Sequence, residues 1–312
     1  MAGKRKKNQR KTIILIVVML LLCVAASLYI LKLAGGGFPQ DNTAENTENQ
    51  ETPSAEEIAQ AEEEAAAKAA AEAEAALLEQ AASHVYSHRG AGGEDELSEV
   101  AYEQAVAAGS KFIEADMVVS AQGTIYVSHD DYAKDMTGID GYFSGMTDAQ
   151  IDAITTRAGH KMLKLRDLFD KYGDTVTYLV DIKYSSNRNF NALADLIREY
   201  DNADNVIVTS FYLDAISPFE RNFPDMKKLY LCYDQATFNV ALNASYLDIL
   251  CVPKEIMNAD NLKAAHDSGK QFSAWVLNSE EEIRSAIDLG VDSYFTDDTG
   301  LAIDLEKQYR TE

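Results

Sequence analysis

Between residues 84 and 298, eight strand-like runs alternate with helical patterns, and this alternation predicts an α/β fold, a parallel (β/α)8 TIM barrel. The runs lie near residues 85–88, 111–116, 176–183, 205–210, 228–232, 247–252, 271–276 and 292–296. Helical patterns fill the gaps, among them 97–108, 163–172, 190–200, 262–267 and 280–289, where Ser279 and Glu282 have capping-box spacing. A second observation agrees with the first: His88 ends the first run, Glu114 and Asp116 the second, and Asp181 and Lys183 the third. A barrel of this kind carries its active site at the carboxyl ends of its strands. Residues 131–160 belong to no barrel unit and read as a small insertion after the second strand, over the mouth.

The elements before the barrel follow from composition. The chain has 312 residues and a formal charge of −23, a length that suits one large domain with attachments. Residues 1–11 contain Lys4, Arg5, Lys6, Lys7, Arg10 and Lys11, a basic tail expected to stay in the cytoplasm. An almost continuous apolar run follows within 12–34, long enough to cross a bilayer as a helix of about 20 residues. A cleaved signal peptide is the competing reading, but the run exceeds the roughly 7–15 residues of a signal core and no clean small-x-small site follows closely. Leu22 is too bulky to precede a lipidated cysteine, which leaves Cys23 as a membrane residue. The expectation is a single-pass cell-membrane protein with everything after Lys32 outside.

Residues 35–83 change character, from Gly-rich to Asn, Thr, Glu and Gln, and then to Ala and Glu. Ser54 to Glu57 fits a capping box, so a helix is expected over about 55–82, on the order of 40 Å long. Without an apolar heptad seam it reads as a solvated stalk rather than a coiled coil. The barrel then occupies 84–312. Its negative charge argues against nucleic-acid binding, and the basic tail is explained by membrane orientation. The pattern specifies no oligomeric state.

The stretch from Ser87 to Asp130 concentrates the chemistry. Glu114 and Asp116 are two apart on a strand, so both leave one face while Ile113, Ala115 and Met117 leave the other. Two carboxylates on an inward face repel each other and desolvate badly; a bound cation remedies both, and oxygen ligands suit Mg2+ or Ca2+. Residues 120–123 form too short a link for parallel neighbours, so 124–128 must fold back as a hairpin. A turn centred near Gln122 and Gly123 would put His129 roughly opposite Asp116, within about 5 Å across the ladder. A lone histidine is more often structural than catalytic. Here two of them, His88 and His129, bracket a carboxylate pair.

The order His88-Arg89-Gly90, Glu114-x-Asp116 and His129-Asp130 resembles the glycerophosphodiester phosphodiesterase family, whose relatives include sphingomyelinases D and, more distantly, phosphoinositide phospholipases C. The likeness continues at Asp181-Ile182-Lys183, Thr209-Ser210-Phe211, Ala274 to Asn278, Gly290-Val291-Asp292 and Thr296-Asp297. Two departures stand out. Asp181 replaces the family's usual Glu, as in sphingomyelinases D, and Asp95-Glu96-Leu97-Ser98 stands where the family usually has Glu-Asn-Thr after proline.

The resemblance implies metal-assisted phosphodiester cleavage. Glu114, Asp116 and Asp181 would hold the cation, Arg89 and Lys183 the substrate phosphate, and His88 and His129 would share acid–base catalysis. Trp275 reads equally as core or as a substrate wall. The favoured function is hydrolysis of a glycerophosphodiester to sn-glycerol 3-phosphate and an alcohol. A second is phospholipase D-like action on lysophospholipid or sphingomyelin, for which Tyr142, Phe143 and Met146 of the insertion would supply an acyl-binding surface. A third is a non-catalytic cell-surface binding barrel. Cys232 and Cys251, expected on adjacent strands, are expected to be free core thiols.

Overall fold

The computed structural model describes residues 55–310. The basic tail, the expected membrane span and the linker to residue 54 lie outside the described residues, among which no helix is long and apolar enough to cross a membrane. Helix α1, Ala55–Ala82, matches the expected stalk helix in extent. Contacts divide the chain after Gln60. From Glu63 to Leu77 the helix is exposed, as an Ala/Glu sequence without an apolar seam dictates. Its last turn differs: Ala81 and Ala82 are buried and Leu78 packs against the core.

Nine strands form one sheet: β1 (Val85–Ser87), β2 (Phe112–Val119), β3 (Ile125–Val127), β4 (Thr177–Ile182), β5 (Val206–Ser210), β6 (Lys228–Leu231), β7 (Ile249–Pro253), β8 (Gln271–Trp275) and β9 (Ser293–Thr296). Eight are parallel, and β1 pairs with both β9 and β2, which closes the barrel. Strand β3 stands outside the closed ring, antiparallel to β2, as the short 120–123 link requires. Side chains alternate between faces. Ile113, Ala115, Val180, Val208 and Leu250 point to the surrounding helices, whereas Tyr86, Leu179, Ile207, Leu229, Ile249 and Phe295 fill the interior.

Helices α2 (Glu99–Ala107), α3 (Leu165–Tyr172), α4 (Asn187–Tyr200), α5 (Leu213–Asn222), α6 (Gln235–Ala241), α7 (Ala259–Asp267), α8 (Glu280–Leu289) and α9 (Thr299–Tyr309) cover the outside. Local chemistry fixes their starts. The Ser98 side chain accepts from Ala101 N–H at the head of α2, and Ser279 and Glu282 form a reciprocal capping box on α8.

The segment between β3 and α3 is the expected insertion. It has a small core of its own, in which Ala133, Phe143, Ile151 and Met162 pack on Val118 and Tyr126 of the hairpin. Asp148 stitches it to the hairpin turn by accepting from the hydroxyls of Ser120 and Thr124. The cysteines are free and buried. Cys232 belongs to the cluster beneath the helices and Cys251 to the barrel interior, so they leave opposite faces of the sheet even though their backbones are hydrogen-bonded at 2.7 Å. Burial pushes both thiols up, Cys232 to about 12.

Candidate active site

Strand register builds the centre of the site. Asp116 on β2 lies directly beside Asp181 on β4, and Glu114 sits two residues earlier on the same inner face. All three are at most 3 % exposed, and their ligand oxygens lie within 4.8 Å of one another. Two cations share the rim. Lys183 Nζ lies 2.5 Å from Asp116 Oδ1 and 2.6 Å from Asp181 Oδ2. Arg89 Nε lies 3.3 Å from Asp116 Oδ2, and its Nη1 donates to Glu96 at 3.0 Å.

Arg89 occupies the left-handed region (φ 54°), an uncommon conformation for a side chain of this size. It turns the Arg89 N–H onto Glu114 Oε2 at 2.9 Å while the guanidinium reaches back over the mouth. Gly90 makes this turn feasible: at φ 83°, a Cβ there would lie 2.8 Å from the Ala101 carbonyl carbon.

The carboxylates titrate unequally. Burial raises Glu114 well above the usual range, and Asp116 adds to the effect. Burial also lifts Asp181, to about 6, with Lys183 pulling against it and Asp116 adding to it. For Asp116 the same burial is overcome by Lys183 and Arg89, which hold its carboxyl below the ordinary value. Burial disfavours the Lys183 cation, but Asp181, Asp116 and Glu114 outweigh it and raise the group.

The trio fits a divalent cation. Asp116 Oδ2 and Asp181 Oδ1 are buried without a hydrogen bond, and the donors are all carboxylate oxygens, the set that Mg2+ and Ca2+ prefer. Three carboxylates also outnumber the two cations, and Arg89 is shared with Glu96. An added positive charge offsets the excess.

The structure brings both histidines to this rim with their Nδ1 atoms on aspartates. His88 Nδ1 lies 2.7 Å from Asp297 Oδ1, and Asn278 grips that aspartate by donating to Oδ2 at 2.6 Å while its own Oδ1 accepts the Asp297 N–H at 2.9 Å. Burial opposes ionisation of Asp297, but the hydrogen bond from His88 prevails and keeps its pKa low. His129 Nδ1 lies 3.0 Å from Asp130 Oδ2.

The position of His129 corrects the expectation. Met117 pairs with Val127, so the residue opposite Asp116 is Ser128, whose N–H donates to the Asp116 carbonyl, and His129 comes one residue later. The turn is centred on Gln122, half a residue earlier than expected, because Ser120 N–H bonds back to the Thr124 carbonyl. His129 still faces the site across a cavity of about 270 Å3 that it lines with Arg89 and Glu96. A larger recess of about 690 Å3 lies between the hairpin turn and α4 and touches none of these residues.

Trp275 is both things the sequence allowed. It closes the interior cluster at the end of β8 and meets Phe211 edge-on at 5.5 Å, and Phe211 stacks on exposed Tyr233 at 4.3 Å, so the three form a wall across the mouth. Sequence reasoning quoted Asn278 and Asp297 without giving them a role. The signal available was their position just beyond the ends of β8 and β9, where barrel strands present functional groups.

Comparison with known proteins agrees with this geometry. The sequence profile of the glycerophosphoryl diester phosphodiesterase family matches residues 88–301. A glycerophosphodiester phosphodiesterase of Caldanaerobacter subterraneus subsp. tengcongensis is 25% identical over 239 residues, covering 72% of this chain and 98% of the relative. A human lysophospholipase D is 24% identical over 263 residues, covering 68% and 82%. Among solved structures, a putative glycerophosphoryl diester phosphodiesterase from Agrobacterium tumefaciens superposes with a TM-score of 0.67 at 22% identity, covering 74% of this chain and 99% of that one. An Oleispira antarctica phosphodiesterase, solved in complex with the product sn-glycerol-3-phosphate, superposes with a TM-score of 0.64 at 19% identity, covering 72% and 96%. The profile match spans well over half of the residues, and the chain belongs to the glycerophosphoryl diester phosphodiesterase family of hydrolases.

Proposed function

We propose that the protein hydrolyses glycerophosphodiesters to sn-glycerol 3-phosphate and an alcohol, in a reaction that depends on a divalent cation, Mg2+ or Ca2+. The observation that carries this reading is the convergence of a buried carboxylate trio, two cations and two aspartate-paired histidines on one rim of the barrel. The product named for the Oleispira structure matches the product proposed here.

Glu114, Asp116 and Asp181 would hold the cation, which when bound offsets negative charge on the phosphate and favours ionisation of the attacking hydroxyl. Arg89 and Lys183 lie close enough to the trio to grip the phosphate oxygens and stabilise charge that builds on them. With Nδ1 committed to an aspartate, each histidine keeps Nε2 for the substrate, one to take a proton from the nucleophile and one to give a proton to the leaving alcohol. The nucleophile is the neighbouring glycerol hydroxyl, and the reaction passes through a cyclic phosphate that water then opens. The wall of Phe211, Tyr233 and Trp275 excludes water from the side opposite His129.

The phospholipase D-like alternative needs an apolar surface on the insertion. Phe143 is fully buried there and Met146 packs against the same small core, which leaves Tyr142 and Ile139 as the exposed large apolar side chains of that segment. We further propose that the apolar run at 12–34 anchors the protein in the cell membrane with the barrel outside.

The deciding experiment assays the full chain in detergent on glycerophosphocholine, glycerophosphoglycerol and lysophosphatidylcholine, with and without chelator. Glycerol 3-phosphate is expected from the two diesters and is lost on chelation. Turnover of lysophosphatidylcholine alone would overturn the proposal.

A further inference from the structure

We propose that the insertion builds a leaving-group chamber beside His129 that selects alcohols carrying a positive charge, with Asp135 and Tyr132 as the discriminating residues. The inference rests on the hydrolysis proposed above and names the alcohol it releases. The cavity of about 270 Å3 runs from Arg89 and His129 into the insertion. At about 30 Å3 per water in the liquid, that is room for an alcohol of a few carbons. With phosphate gripped between Arg89 and Lys183, the two ester arms diverge: one lies along the wall of Phe211, Tyr233 and Trp275, the other enters the chamber.

The chamber's charges do not cancel. Glu96 and Arg89 neutralise each other at 3.0 Å. Arg157 donates from Nε to the Asp135 carbonyl at 2.8 Å and from Nη2 to the Lys134 carbonyl at 2.9 Å, so its charge is spent on backbone carbonyls of the helical turn Lys134–Thr137. The carboxylates of Asp130 and Asp135 remain, and both line the cavity.

The walls suit the same class of ligand. The Tyr132 hydroxyl donates to Asp140 at 2.7 Å and its ring packs on Tyr142 at 5.1 Å, which fixes an aromatic surface at the chamber. Met136 adds a half-buried thioether. An ammonium group, methylated or not, gains from a carboxylate, an aromatic face and a polarisable sulfur together, whereas a neutral polyol gains little and an anionic alcohol is repelled.

The geometry also orders the proton transfers. The leaving oxygen lies on the His129 side, so when its bond to phosphorus breaks it takes the proton from His129, and His88 accepts the proton of the attacking hydroxyl.

The test uses the full chain and substrates that share glycerol phosphate and differ only in the alcohol: glycerophosphocholine, glycerophosphoethanolamine and glycerophosphoglycerol. The wild type should show a higher kcat/KM for the two cationic substrates. Because Asp135 is exposed, Asp135→Asn should fold normally and narrow the cationic-to-neutral ratio by about fivefold, the worth of one solvent-exposed charge contact. Tyr132→Leu should narrow it most for the choline substrate. An unchanged ratio in Asp135→Asn, with all three substrates still cleaved, would overturn the chamber and leave the hydrolysis standing. Failure to cleave any of the three would overturn the hydrolysis and the chamber together.

Discussion

His88 and Asp297 stand 209 residues apart in the chain and 2.7 Å apart in space, with the Asp297 carboxylate clamped by Asn278 so that it faces the imidazole. The pair fixes both ring orientation and tautomer, because an ionised carboxylate accepts only from an Nδ1 that carries the proton. Asp297→Asn presents an amide that can donate instead, which reverses the tautomer and removes the free Nε2 lone pair. The expected result is a kcat lower by roughly 10²- to 10⁴-fold with KM little changed. His88→Ala and His129→Ala should lose at least as much and keep their metal. Steady-state kinetics with bound metal counted separately checks this, and near wild-type turnover in any of the three contradicts the assignment.

The carboxylate trio should fail in a different way. Glu114→Gln, Asp116→Asn and Asp181→Asn keep the shape but each lose a ligand charge, so activity should fall and return in part with added divalent ion. The pH dependence of metal binding follows from the raised groups, since protons compete for a ligand. With Asp181 at about 6 and Glu114 raised as well, affinity should be full above that range and weaken as pH falls through it. Metal titration by calorimetry at several pH values reads this directly.

Gly92 has φ 64°, and a Cβ there would sit 2.5 Å from the Asp297 Cβ. Gly92→Ala should therefore cost about 1–3 kcal/mol from the backbone conformation and also displace Asp297 from His88. The joint signature is a lower Tm together with a lower kcat. A drop in Tm with full kcat would show that Asp297 tolerates the shift.

The topology proposed for the N-terminus has a simple readout. Protease added to intact cells should remove the barrel and spare the anchor. Complete protection of the barrel would reverse the orientation.

Glu282 is held down to about 2, first by the Lys254 ammonium and then by the N–H groups of Asn278 and Ser279. A folded-state pKa below the unfolded value of about 4.3 contributes stability above that value and loses it as pH falls toward the folded one. The Tm difference between wild type and Glu282→Gln should be present at neutral pH and shrink between about pH 4 and 2. A difference that does not change with pH would assign the effect to capping alone.

How legible these features were depended on how local their causes are. Period-two alternation suffices to place Glu114 and Asp116 together inside the barrel with Ile113 and Ala115 outside, because it needs only the strand's own residues. The His129 register needed the Ser120–Thr124 backbone bond, which residue types do not encode, and so the expectation missed by one position. The grip of Asn278 on Asp297 and the pairing of Arg89 with Glu96 join segments far apart in the sequence or depend on a left-handed backbone at a non-glycine residue. No periodicity reports either. The insertion's apolar residues read as a surface for a lipid chain, yet Phe143 is needed to give a short segment a core of its own.

Barrel closure has a consequence for when the enzyme becomes active. Strand β1 carries His88 into the site but is seated by β9, and Asp297, the residue after β9, is among the last that the ribosome adds before α9. A chain still being made can pair β2 with β4 and gather its carboxylates, but it has nothing to orient His88. Long-range pairing of this sort forms slowly and late in folding. Catalysis therefore waits on completion of the protein: a nascent chain at the membrane, or one truncated before β9, could assemble the acidic trio without being able to use it.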